Sequence, residues 1–102
     1  MSPKFSDPRF GLPRNQLREI HKAWDKATFN SLDDAIEYHY LEHGTGQNLL
    51  GYTREAQQFL EVNKALAQPH PLEDSRVGIK IRTKTHYGIY TKDDKIVSYG
   101  PR

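Results

Sequence analysis

The periodicity of the chain changes once, at Pro69 and Pro71, and that change limits what it can fold into. Before it, apolar residues recur at helical spacing. Leu17, Ile20 and Trp24 stand at i, i+3 and i+7 with Arg18, Glu19, Lys22 and Asp25 on the outside, which predicts a helix from Asn15 to near Thr28. A second stripe of Leu32, Ala35, Ile36, Tyr40 and His43 follows Ser31, a good N-cap. Asp33 and Asp34 occupy its first turn, and Gly44 is placed to end it. A third stripe, Ala56, Phe59, Leu60, Asn63 and Ala67, is expected to start at a Thr53 cap after a GTGQNLLG loop, and the two prolines stop it. Beyond them Val77, Ile79 and Ile81 alternate with Gly78, Lys80, Arg82 and Lys84, a period of two, and HYGIYT, KDDK and KIVSYG read as a hairpin. Helices followed by strands give an α+β fold with the N-terminal helices packed on one face of a small antiparallel sheet of three evident strands.

The 102 residues suit a single domain with one modest core and leave no room for an interdomain cleft, so an active site would lie on an open surface. The expected divisions are an irregular lead-in over 1–14, where three prolines fall, a helical part over 15–68 and a sheet over 76–100. With no cysteine, disulfides and thiolate metal sites are excluded. No run of about 18 apolar residues occurs, so stable membrane association of this domain is not expected. The opening MSPKFSDPRFGLPRN has no apolar h-region, and any export signal would lie elsewhere in a longer protein.

Charge is unevenly placed. Residues 1–75 carry eight Lys/Arg against eleven Asp/Glu, whereas 76–102 carry seven against two. Cations clustered on one element suit a polyanion, although a solvated strand face would look the same. If Val77, Ile79 and Ile81 face the core, Lys80, Arg82 and Lys84 face out. On the next strand Tyr87 and Ile89 suit the core, sending His86, Tyr90 and Lys92 outward. A three-residue loop around Asp93–Lys95 would place Val97 and Tyr99 inside and Ser98 outside, and a two-residue loop would reverse this. The open face is thus expected to gather Lys80, Arg82, Tyr90 and Ser98, with Thr85 and His86 near its rim. Cations suit phosphate, tyrosine can stack or donate a proton, and hydroxyls can bond backbone oxygens, which together describe an RNA surface.

The stretch HYLEHGTG adds His39 and His43. H-x-x-E-H is the inverted zincin spacing, which would make His39, Glu42 and His43 the core of a small zinc metallopeptidase. That reading needs a third ligand, for which Glu55, Glu61 and Glu73 are candidates by type alone. His43 also has a plain structural reading, a histidine bonding the last carbonyls of its helix.

The helices reading YHYLEHG and YTREAQQFLEVN and the C-terminal KIRT, THYGIYTKDDKIVSYGP resemble the C-terminal toxin domains of bacterial polymorphic and contact-dependent growth inhibition systems, over roughly residues 35 to 102. The likeness is to the superfamily that groups barnase, EndoU, colicin E5, colicin D and RelE-like nucleases. It implies a metal-independent ribonuclease without cofactor, exported as the C-terminal part of a larger cell-surface or secreted protein and acting in the cytoplasm of a target bacterium. It also implies tRNA as substrate, a cognate immunity protein as partner, and for some members help from elongation factor Tu or another translation factor. Family members commonly have a fourth strand.

Cleavage by 2′-hydroxyl attack needs a proton acceptor, a proton donor and stabilisation of charge on phosphorus. Histidine fits the proton transfers because its ordinary pKa lies near neutral pH. The catalytic candidates are His43 as acid or base, Arg82 and Lys80 on the phosphate, and Tyr90, Ser98 and Thr85 orienting it or sharing a proton. His39, Lys84, His86 and Tyr99 are the expected substrate contacts. A non-catalytic RNA-binding module would use the same cations and tyrosines.

Overall fold

The computed structural model describes residues 11–44 and 48–102. Most of the expected lead-in, and residues 45–47 of the expected GTGQNLLG loop, lie outside the described residues. Three α-helices, α1 (Arg14–Ala23), α2 (Leu32–His43) and α3 (Leu49–Asn63), precede a sheet of four strands, β1 (Gln68–Pro71), β2 (Val77–Arg82), β3 (His86–Tyr90) and β4 (Ile96–Pro101). The strands form an antiparallel meander in chain order. The α+β class and the segregation of helices from strands are as expected.

Helix α1 stops at Ala23 rather than near Thr28 because Trp24 turns to extended backbone and bridges Ile96 in parallel, with the Asp25 amide donating to the Ile96 carbonyl at 2.8 Å. Ser31 caps α2 as expected, its hydroxyl accepting from the Asp34 amide. Helix α3 begins five residues earlier than the Thr53 cap would place it. Asn48 is the cap, its side chain accepting from the Gly51 amide, and Thr53 is instead buried inside the helix, accepting a 3.0 Å hydrogen bond from the Trp24 indole.

The core lies between the helices and one sheet face. Ile20, Trp24, Ile36, Tyr52, Ile81, Tyr90 and Ile96 are almost wholly removed from water. Trp24 is the hub, stacking on His39 and Tyr52 at ring-centroid distances of 5.7 and 5.8 Å.

The helical part does not extend to residue 68. A 3-10 turn ends at Leu66, and Gln68–Pro71 forms the fourth strand, antiparallel to β2. Two prolines hid it, yet an edge strand tolerates them because one side of its backbone needs no ladder partner. The loop after β1 is clamped by Arg76, whose guanidinium takes both carboxylate oxygens of Asp25 (3.1 and 2.6 Å) and also bonds Asp74. The hydrogen bonds from Arg76 hold the Asp25 and Asp74 carboxyls below the ordinary carboxylate range.

Candidate active site on the open sheet face

Strand pairing fixes which side chains share the face away from α3. Gln68, Lys80, Ile89 and Ser98 form one row across the four strands, and Arg82, Tyr87 and Gly100 form the next. Lys80, Arg82 and Ser98 therefore lie on the open face, the first two as the β2 alternation predicts and Ser98 as the three-residue turn does.

The parity of β3 is the reverse of the expected one. Tyr90 pairs with Ile79 and faces the core at 0% exposure, with its hydroxyl donating to the Ala56 carbonyl of α3 at 2.7 Å. Burial pushes its phenol pKa well up. Tyr87 and Ile89, expected inside, lie on the open face. Gly88 explains the choice. A Cβ there would stand 2.6 Å from the Tyr90 ring, so the glycine lets that ring lie flat across its own strand toward α3. His86 follows Tyr90 to the helix side, stacked on Tyr99 at 5.6 Å, against Phe59 and 4.0 Å from Glu55. Tyr99 is core as the three-residue turn predicts, and its hydroxyl donates to Glu55 at 2.5 Å, so it does not reach substrate on the open face. Val97 was expected beside it. A bulge pairs Tyr90 with Ile96 and Ile89 with Ser98, leaving Val97 as the extra residue. Thr85 and Lys84 sit exposed on the β2–β3 turn, where Thr85 bonds the His86 ring at 2.9 Å.

Helix α2 packs against β4 and delivers His43 to the open face. The imidazole rests on Gly100: a Cβ at that glycine would stand 2.7 Å from the His43 Cβ. His43 Nε2 is 3.3 Å from the Tyr87 hydroxyl, and that hydroxyl is 2.9 Å from Ser98 Oγ. The histidine ring meets the Tyr87 ring edge-on, 5.9 Å between centroids at 89°. Arg82 is the cross-strand neighbour of Tyr87 on its other side. Strands are about 4.8 Å apart, so an arginine side chain spans the interval from β2 to the His43–Tyr87 pair. Among the described residues neither Lys80 nor Arg82 has a carboxylate partner to compete with phosphate.

Tyr87 is the member that sequence reasoning missed, and Gly88 was the signal that could have placed it. His39 also differs from expectation. It is 8% exposed, stacked between Trp24 and the His43 ring, and its pKa is lowered to about 4 by burial first and by the neighbouring His43 second. Glu42 is exposed, and among the described residues no group of three His, Asp or Glu side chains comes together as metal ligands.

Fold and site together define a small α+β domain carrying a histidine, a phenol and a hydroxyl in one hydrogen-bonded line beside two cations, the side-chain inventory for proton transfer at a phosphodiester. No family model matches the chain, and no solved structure matches it. It is similar to a Bacillus subtilis subsp. natto protein named as the tRNA(Glu)-specific nuclease WapA, at 29% identity over 80 residues. That match takes in 74% of this chain and 3% of the length of the relative.

Proposed function

We propose that this domain is a metal-independent endoribonuclease acting on tRNA. The observation that carries the reading is the line of His43, Tyr87 and Ser98 lying on the same sheet face as Arg82 and Lys80. The similarity to a nuclease named for tRNA supports the substrate class.

In this mechanism the 2′-oxygen of one ribose attacks the adjacent phosphorus and the bond to the 5′-oxygen breaks, leaving a 2′,3′-cyclic phosphate and a 5′-hydroxyl. His43 Nε2 moves the proton at one end of the displacement. Tyr87, held by Ser98, fixes the imidazole and offers its own hydroxyl to the phosphate or to the second proton transfer. Arg82 and Lys80 stabilise the charge that builds on the equatorial oxygens. Tyr90, Tyr99 and His86, bound to α3 or packed on it, take no part in the chemistry. The domain would be the toxic end of a larger exported protein, acting in the cytoplasm of a target bacterium and held in check in its producer by an acidic immunity protein over Lys80 and Arg82. A translation factor such as elongation factor Tu is a candidate helper.

The test is incubation of the purified chain with total tRNA in EDTA. Discrete fragments ending in 2′,3′-cyclic phosphate are expected, and His43→Ala should lower the rate roughly a hundred-fold or more while remaining folded. Binding without cutting would instead identify an RNA-binding module, and folded His43→Ala cutting at the wild-type rate would remove the histidine from the mechanism.

A further inference from the structure

Beside the His43–Tyr87–Ser98 line the open face sinks into a cleft of about 390 Å³. Ser98 belongs to both, so the two sites are contiguous. The cleft floor is Ile89, Val97 and Ser98. One wall is aromatic: Phe29 and Tyr38 are 5.4 Å apart, and His39 meets Tyr38 edge-on at 5.3 Å. The opposite wall is the end of β1 and the loop after it, with His70 and Glu73. A hydrogen bond from Thr28 to Glu73 (3.3 Å) joins the walls at one end, and Arg76 holds the loop to Asp25.

The chemistry of this lining is unlike that of the neighbouring line. Among the described residues no lysine or arginine borders the cleft and Glu73 is its one carboxylate, a lining unsuited to phosphate. Tyr38 is 48% exposed, an aromatic ring left partly open to solvent at the entrance. His39 Nδ1 is buried with no hydrogen-bond partner among the described residues, a state that buried polar groups rarely keep. Apolar floor, aromatic wall and a carboxylate acceptor together describe a receptor for a flat, uncharged heterocycle with polar edges.

We infer that the cleft receives the unstacked nucleobase of the nucleotide adjoining the cleaved phosphodiester, and that Glu73 favours bases with an exocyclic amino group over uracil. The inference rests on the ribonuclease reading for its geometry, because the phosphate bound by Arg82 and Lys80 sets where the neighbouring base can go. Stacking tolerates any base, whereas a carboxylate accepts from the amino group of cytosine or adenine and meets a carbonyl oxygen, an acceptor like itself, at the corresponding position of uracil. Selection at the cut is therefore by base edge as well as by RNA shape.

Two measurements on the intact chain separate this inference from the ribonuclease reading. In the first, NMR spectra are recorded with millimolar adenosine, cytidine or uridine, which carry no phosphate. Adenosine or cytidine should shift resonances of Tyr38, Phe29 and Val97, uridine less so, and Glu73→Gln should remove the difference. In the second, Tyr38→Ala should lower kcat/KM on tRNA by about ten-fold, mostly through KM, since removing an aromatic platform weakens base binding to about that extent. Nucleosides that leave the cleft resonances unmoved, or a folded Tyr38→Ala with wild-type kcat/KM, would overturn the inference even if the chain cuts RNA. A chain that binds cytidine in the cleft yet never cuts tRNA would defeat the ribonuclease reading and leave the base site standing.

Discussion

Tyr87 is the residue on which the site turns, because its single hydroxyl faces both His43 Nε2 and Ser98 Oγ. Tyr87→Phe deletes that hydroxyl while preserving the ring that packs edge-on against the imidazole. A fall of ten-fold or more in single-turnover cleavage is expected, with urea unfolding shifted by no more than about 1 kcal/mol, the net worth of an ordinary hydrogen bond. A folded variant with unaltered turnover would show that the phenol is only packing. His39 carries a different prediction. Its folded pKa of about 4 lies below the ordinary value of 6.5, so as pH falls through 6.5 the unfolded chain takes up a proton that the native chain refuses. Stability is fully present above pH 6.5 and is lost progressively down to pH 4. Between pH 7 and pH 5 the loss attributable to this ring is on the order of 2 kcal/mol. Urea midpoints at the two pH values measure it, and His39→Phe, which keeps a ring against Trp24, should flatten the slope.

At the scale of elements, α2 and β4 must meet closely for the imidazole to reach the open face, and Gly100 permits it. An alanine Cβ there would stand 2.7 and 2.8 Å from the His43 Cβ and Cγ. Those atoms sit next to the helix backbone and cannot swing away, so Gly100→Ala should push the end of α2 outward and separate Nε2 from Tyr87. Loss of most cleavage activity, with cooperative unfolding retained, is the expected result. Undiminished activity would mean that His43 need not sit over β4.

The same elements show how much was legible beforehand. The β2 alternation is strict, and it placed Lys80 and Arg82 correctly, because burying Ile81 leaves no second choice. Strand β3 offers Tyr87 and Ile89 on one side and His86 and Tyr90 on the other, which differ little in apolar area, so pattern could not decide and a glycine did. Strand β1 has no apolar alternation at all. Helix α3 was read short because Gly51 sits in its first turn and resembles a loop residue, although Asn48 was available as its cap. His43 was legible as a helix-end histidine. That its ring reaches Tyr87 depends on the packing of α2 against β4, which no local pattern encodes.

For the whole molecule the relevant quantity is where charge lies relative to the candidate site. The excess of cations after residue 76 folds into strands and turns, and two of those cations, Lys80 and Arg82, project from the face that carries His43. Arg76 belongs to the same stretch but is spent on Asp25 and Asp74, so local sequence charge overstates the field available to a polyanion. If Lys80 and Arg82 each hold a phosphate, RNA affinity must fall with salt, and each cation removed must make the dependence shallower. A plot of log affinity against log salt for His43→Ala, the variant expected to bind RNA without cutting it, should lose about one unit of slope on adding Arg82→Gln and a similar amount on adding Lys80→Gln. Lys95→Gln, on the far hairpin turn and away from the proposed site, serves as the control and should leave the slope nearly unchanged. Equal slope losses for all three would mean that RNA reads only the overall positive charge of the C-terminal part. A slope carried by Arg82 and Lys80 would tie the polyanion to the row in which Tyr87 meets His43.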